Sequence, residues 1–507
     1  MTFWTPDNLK TISGGRWLAR VPDGVRVEGV STDSRSLTSG QVFLALKGDA
    51  FDGHAFLGQA AAAGAPLLVI DQEGVWAGVR ADLPTAVGVL LVDDTARILL
   101  RFAQAYRQTL TRTKVIAVGG SNGKTTTVRM LDAVLGTRLR GRASAKSFNN
   151  SVGVPLTILG ASPTDQYLIC EVGTNAPGEI GALAPVVEPD ICVLTSLGRE
   201  HLEGLGSLDG VAREEASLIG SLREGGCAIV ACDESLVTAV RAQLRALPGE
   251  PRVLVTFGRE DTADVRVENA AQDFTGVTFT LNDRSAYSLP LLGLHNALNA
   301  AAAVAVARRL GLTTDEARTG LATVRGPAMR LEREEVVGSG AGAGGIRVIN
   351  DAYNANPESV LAAFATLREV AACTPHHRRV VILGDMLEQG AQGPGLHAEV
   401  GRALAQGNPP DLVVLVGSLV AHTATVLRPL LPDGAIVHLP DVAAPRDAHV
   451  AGLLRPGDLV LLKASRGIGL ERVLTALRAG AGGAPPPEPK PSGPLDGHKT
   501  PQPTRAV

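Results

Sequence analysis

The chain reads as a multidomain α/β protein, on three observations. Short β-branched and aliphatic runs of strand length alternate with helical patterns, the mark of a mainly parallel sheet. One such run, 114–119, passes through a glycine-rich turn into GKTTTVRM, a phosphate-binding loop opening a helix. At 507 residues the chain exceeds what one core usually serves, so two to four domains are expected.

The first 85 residues read as a small α/β module, with strands at 42–46 and 67–70 around an alanine-rich helix at 54–64. A connecting helix at 95–109 leads to the phosphate-loop strand. From there to residue 326, strands at 167–170, 191–194 and 228–231 alternate with helices, and 295–310 is apolar enough to be a buried helix. A glycine-alanine stretch, 338–345, suits a hairpin tip. Strands at 347–350, 380–383, 412–416 and 459–462 then form a second α/β unit. The expected domains are therefore 1–85, 86–326 and 327–480. Residues 481–507, rich in glycine and proline, cannot bury a core and are expected to be disordered.

Composition narrows the function classes. Hydrophobic residues make up 45% and charged residues 20%, as in soluble globular proteins. A net charge of −3 gives no bulk attraction to nucleic acid or an anionic membrane. No apolar run approaches ~20 residues, so stable membrane insertion is not expected. The N-terminus has no signal-like run, and the five cysteines lack metal-like spacing. Cytoplasmic residence follows as the simple expectation.

In AVGGSNGKTTTVRM, the backbone N–H groups of Gly120, Ser121, Asn122, Gly123 and Lys124 can cradle phosphates at a helix N-terminus. Lys124 supplies a mobile charge for the outer phosphates of ATP; Thr125, followed by Thr126, places a hydroxyl for Mg²⁺. Glu171, at a strand's carboxyl end, is placed for the same metal, or is a solvated strand-end carboxylate. His201 also follows a strand and reads as a ligand or a structural histidine. Bringing a γ-phosphoryl group to a carboxylate to make an acyl phosphate needs this kind of metal and cationic company.

Six motifs in order, GGSNGKTT, SFNNSVGVP, EVGTNAPGEI, HLEGLGS, GLHNALNAAAA and DAYNANPES, closely resemble those of the Mur ligases of peptidoglycan synthesis, over roughly residues 30–475. Within that family DAYNANP, GDMLEQG and LLKASRG are similar to the members that join D-alanyl-D-alanine to a UDP-muramoyl-tripeptide. The resemblance implies a UDP-binding module, a central ATPase and a C-terminal Rossmann-like domain, working as a monomer. It implies Ser34, Arg35, Lys47 and His54 on the UDP-sugar, and Asn149 and Asn150 on the muramoyl part. Asn296 would meet the adenine, with Arg330 and Asp351 on ATP. Tyr353, Asn354 and Asn356 share the Asp351 loop, and Lys463, Ser465 and Arg466 would meet the dipeptide. Two departures are AMRLE in place of GRLE and ASR in place of GSR.

A third departure is chemical. Many Mur ligases carry a CO₂-carboxylated lysine that helps position a second Mg²⁺; its register falls on Glu215, and no lysine occurs between Lys146 and Lys463. Glu215 is expected to replace it as an anionic oxygen ligand, the alternative being that Arg213, Glu214 and Glu215 form a solvated helix face. A sibling ligase adding the third peptide residue, a folate polyglutamate ligase or a non-catalytic ATP-binding scaffold would share the ATPase half. DAYNANP argues against the other ligases.

Overall fold

The computed structural model describes residues 3–48, 51–145, 147–198, 202–336, 345–440 and 445–480. The chain divides into two compact units, one holding Met1–Thr113 with Ser151–Thr164, the other Lys114–Asn150 with the described residues from Asp165 onward. Three sheets carry the architecture.

The first unit is built on a five-stranded sheet in the order Arg16–Ala19, Gly88–Leu91, Leu67–Ile70, Val42–Leu44, Val30–Ser31. Its pairings are parallel except for the first, at Arg16–Ala19. Phe43, Leu68, Ile70 and Val89 pack beneath Leu57, Ala60 and Ala61 of the helix Leu57–Ala62. The expected helix at 54–64 thus begins as a 3₁₀ turn, Gly53–Phe56, because Asp52 caps it by accepting from the His54 N–H. The helix Thr95–Thr109, capped by Asp94, belongs to this unit.

The second unit holds the other two sheets. Nine strands run in the order Ala286–Leu289, Gly276–Leu281, Val265–Asp273, Val253–Gly258, Cys227–Ala231, Ile191–Leu194, Lys114–Gly119, Tyr167–Glu171, Gly141–Ala143. The six from Val253–Gly258 to the end pair in parallel and are mostly buried. The two pairings among the first three strands are antiparallel. This hairpin extension is absent from the sequence reading: its alternation of buried and exposed residues is interrupted by a bulge between Glu268 and Ala271. The phosphate-loop helix, Lys124–Leu135, packs against His295–Arg309. Alanines at 297, 300–303, 305 and 307 are small enough to let the helices approach closely around Val128, Leu131 and Val134.

The six-stranded sheet runs Glu332–Val336, Ile346–Asp351, Asp458–Lys463, Arg378–Gly384, Leu412–Val416, Ile436–Leu439. Alternate residues serve two cores, as a covered parallel sheet requires. Ile349, Val381, Leu383 and Leu461 meet Val360, Phe364 and Val400; Val380, Ile382, Val460 and Leu462 meet Val450, Val473 and Leu474. The strands Glu332–Val336 and Ile346–Asp351 pair antiparallel. Of the glycine-alanine stretch expected as a hairpin tip, residues 338–344 lie outside the described residues, as does the tail from 481. No helix among the described residues is long and apolar enough to cross a membrane.

Candidate active site

The phosphate loop lies between strand ends and the helix Lys124–Leu135. Gly120 has φ +110° and Gly123 φ +87°, a region where side chains are strained. A Cβ on Gly120 would stand 2.5 Å from Thr195 Oγ1 and 2.7 Å from the Thr195 N. Much of the expected cradle is already engaged. The Gly120 N–H donates to Glu215 Oε2 at 2.6 Å, the Ser121 N–H to the Ser196 carbonyl and the Asn122 N–H to Ser196 Oγ, both at 2.9 Å. The N–H groups of Gly123 through Thr126, at the first turn of the helix, have no intrahelical acceptor. Lys124 folds back over the loop, donating to the carbonyls of Gly120 at 2.5 Å and Ser121 at 3.2 Å.

Two buried carboxyls flank this loop. Glu171, 1% exposed, ends the strand Tyr167–Glu171. Its Oε1 accepts from Thr125 Oγ1 and from Asn149 Nδ2, both at 3.1 Å; its Oε2 has no hydrogen-bond partner among the described residues. Burial pushes the Glu171 carboxyl above its usual range, opposed by the charge of Lys124, the Thr125 hydroxyl, Arg330 and Asn149. Glu215 is 0% exposed, so a solvated helix face is excluded. Its Oε1 is likewise buried without a partner among the described residues. Burial raises its pKa too, against Lys124 and the Gly120 N–H. Its neighbour Glu214 accepts from the N–H groups of Gly178 and Ile180 and so caps the helix Glu179–Val187. His201 lies outside the described residues. Among those residues no three His, Cys, Asp or Glu side chains gather as a metal cluster. Glu171 Oε2, on a carboxyl bonded to the Thr125 hydroxyl, and Glu215 Oε1 are each hard oxygen donors without a partner among the described residues, a donor chemistry that fits Mg²⁺.

The C-terminal sheet faces the loop through the segment after Ile346–Asp351. Asn356 Nδ2 donates to Asn122 Oδ1 at 3.1 Å, and Tyr353 OH to Ser147 Oγ at 3.2 Å. Ser147 Oγ lies 3.4 Å from Thr125 Oγ1. The Arg330 guanidinium sits 4.3 Å over the Tyr353 ring. Several expected ligand-binding groups turn out to be engaged internally. Asp351 accepts from the Leu331 N–H at 3.1 Å and pairs with Lys463 at 2.7 Å. Lys463, only 2% exposed, also donates to the Asn354 carbonyl at 2.7 Å; burial lowers its pKa while Asp351 opposes the shift. Asn354 itself is exposed. Ser465 is buried and accepts from the Leu387 N–H. In the expected dipeptide loop, Arg466 alone keeps an open side chain, 43% exposed. Asn296 donates to the Leu292 carbonyl and accepts from Asn299, a satisfied pair under Gly123.

In the first unit, Arg35 is exposed and ion-paired with Asp33 at 2.8 Å, and Lys47 is exposed. Ser34 donates to Gln59 at 3.1 Å. His54 is 2% exposed, its ring nitrogens 2.7 Å from Asp52 and 3.1 Å from Asp71. Burial between two carboxylates makes it a brace for the loop, not a surface group. Asn149 lies against Glu171, while Asn150 is exposed.

Comparison with known proteins follows the same layout. Family models match in three stretches: the Mur ligase family catalytic domain at residues 26–107, the Mur ligase middle domain at 118–307, and the Mur ligase glutamate ligase domain at 332–466. A curated relative from Bacillus subtilis, named UDP-N-acetylmuramoyl-tripeptide–D-alanyl-D-alanine ligase, is 35% identical across 89% of this chain and 93% of its own length. The chain belongs to the Mur ligase family. A relative of the same name from Escherichia coli is 32% identical over 90% of this chain and 94% of its own. A crystal structure of MurF from Acinetobacter baumannii superposes with a TM-score of 0.80 at 28% identity, covering 94% of this chain and 99% of that one.

Three supports of this Mur ligase site were missed in the sequence. Thr195 Oγ1 donates to the Asn122 carbonyl at 2.6 Å, Ser196 shapes the loop, and Ser144 Oγ accepts from the Glu171 N–H at 2.9 Å. The available signal was a Thr-Ser pair at the carboxyl end of the strand next to the phosphate-loop strand.

Proposed function

We propose that this chain joins D-alanyl-D-alanine to UDP-N-acetylmuramoyl-tripeptide at the expense of ATP, through an acyl phosphate, as a cytoplasmic monomer. The observation that carries the reading is the phosphate loop, with Thr125 on Glu171, met by the DAYNANP segment through Asn356 and Tyr353. In this reading residues 1–85 bind the UDP end through Arg35, Lys47 and Ser34, with His54 holding Asp52. Asn149 and Asn150 face the muramoyl part. Residues 86–326 hold ATP, and 327–480 complete the site.

Lys124 exchanges the Gly120 and Ser121 carbonyls for phosphate oxygens, and the first turn of its helix supplies N–H donors. Arg330 and the Asp351 loop close over the nucleotide; Arg466 takes the carboxylate of the incoming dipeptide, whose free amine attacks the acyl phosphate and expels phosphate. Thr125, Glu171, His201 and Glu215 would hold Mg²⁺, which when bound offsets the charge of the phosphates. Glu215, already anionic when ionised, stands in for the carboxylated lysine.

The test is phosphate release from ATP with the UDP-tripeptide and D-alanyl-D-alanine supplied together and singly. Release that requires both supports the reading. Release supported by a free diamino acid and a UDP-dipeptide would assign the sibling step, and no peptide-dependent release would leave a nucleotide-binding scaffold.

A further inference from the structure

Arg330 is bracketed by two non-glycine residues in the left-handed region, Met329 at φ +57° and Leu331 at φ +52°. Such backbone persists only where its surroundings over-determine it. Here they do. The Met329 N–H donates to Glu332 Oε2 at 2.8 Å, and the Met329 carbonyl accepts from the Tyr353 N–H at 3.1 Å. The Leu331 N–H donates to Asp351 Oδ1, and the Leu331 side chain is buried in the core under the C-terminal sheet. The result is a braced arch with Arg330 at its crown. Glycine would take this backbone without strain, so the side chain at 329 is held at a conformational cost. Its thioether sulfur accepts from Arg466 Nη1 at 3.2 Å; the same nitrogen lies 2.9 Å from Glu471 Oε1.

We propose that Met329 is a positioning residue that ties the arginine of the nucleotide side, Arg330, to the arginine of the amine side, Arg466. The arch fixes where Met329 points, and the sulfur with Glu471 fixes where Arg466 points. Arg466 is otherwise a long, 43% exposed side chain, which would have to be ordered by the dipeptide at an entropic cost. The assignment of the amine side rests on the function proposed above; the contact does not.

The experiment uses the full chain and four proteins: wild type, Met329→Gly, Arg466→Ala and the double variant. Met329→Asn serves as a second probe, since asparagine tolerates left-handed backbone. KM for D-alanyl-D-alanine should rise about fivefold in Met329→Gly and Met329→Asn, roughly 1 kcal/mol by the affinity relation, with KM for ATP within about twofold. The double variant should be no worse than Arg466→Ala alone. Independent, multiplying effects in the double variant, or a Met329→Gly enzyme with wild-type dipeptide KM, would overturn the proposal. Thermal unfolding of the same four proteins gives a substrate-free cycle. Coupling in Tm without dipeptide-dependent turnover in the wild type would retain the Met329–Arg466 link and refute the assigned reaction. Absence of coupling in both measurements refutes the link.

Discussion

At the scale of single residues, the two buried carboxyls beside the phosphate loop give the sharpest tests. Glu215 has its pKa raised by burial. A carboxyl whose folded pKa lies above its unfolded value stabilises the fold fully below that unfolded value, and the contribution is lost as pH rises through the folded value. At neutral pH its ionised form is thus a burden on the metal-free fold. Glu215→Gln should therefore melt no lower than the wild type at pH 7, with the difference shrinking toward pH 4. If Glu215 serves the metal, the same variant should lose about tenfold or more in turnover. Thermal melts and phosphate release measured together separate the cases: a fall in both would make Glu215 a structural support of Gly120 only. Because a glutamate needs no CO₂, bicarbonate depletion should leave wild-type turnover unchanged. Lys124→Ala should cost about 10²–10³ in turnover, since its amine stabilises the charged transition state. It should also melt somewhat lower, since the same amine bonds the Gly120 and Ser121 carbonyls and offsets the charge of the buried Glu171 and Glu215. A variant keeping most of its turnover would remove this loop from the reaction.

At the scale of elements, the phosphate loop tests how far backbone shape alone sets the site. Gly120→Ala would force a Cβ to within 3 Å of Thr195 Oγ1 and two backbone nitrogens, none of which is the end of a flexible chain. The variant should lose phosphate release and melt several degrees lower; wild-type ATP KM in Gly120→Ala would show that the loop re-forms elsewhere. The strand-loop-helix order was legible because each part is local: a β-branched run, glycines, then GKTT. Strand 412–416 was read to the residue for the same reason, being buried on both faces. What could not be read were the long-range bonds. Nothing in the sequence reading placed Ser196 on the Asn122 N–H or Asp351 on Lys463, and without those bonds Lys463 and Asp351 look like open ligand-binding groups. The hairpin extension from Val265 to Leu289 escaped because its bulge breaks the two-residue period on which strand reading depends.

At the scale of the whole molecule, the two sheets of the second unit are joined by a clamp built on Arg333. Arg333, in the strand Glu332–Val336, donates to the carbonyls of Phe274 at 2.7 Å, Thr275 at 2.5 Å and Pro290 at 3.1 Å. Phe274 and Thr275 form the tip of the hairpin Val265–Leu281, and Pro290 directly follows the neighbouring strand Ala286–Leu289. Phe274 packs on the core under the C-terminal sheet, with Arg347 5.9 Å over its ring. Gln272 adds a second tie, bonding the Gly293 N–H at 2.8 Å and Glu369. Together these bonds tie the hairpin of the nine-stranded sheet to the C-terminal sheet. Arg333→Ala removes a charged donor from three carbonyls, about 2 kcal/mol, which for domains of this size is a fall of roughly 5 °C in Tm. Because the joint sets the approach of Arg330, Tyr353 and Asn356 to the loop, kcat and the KM for ATP should worsen together, as expected of a hinge support. Arg466→Ala should instead raise only the KM for the dipeptide. An Arg333→Ala enzyme with unchanged Tm and unchanged ATP kinetics would mean that Phe274 and Gln272 hold the joint without it.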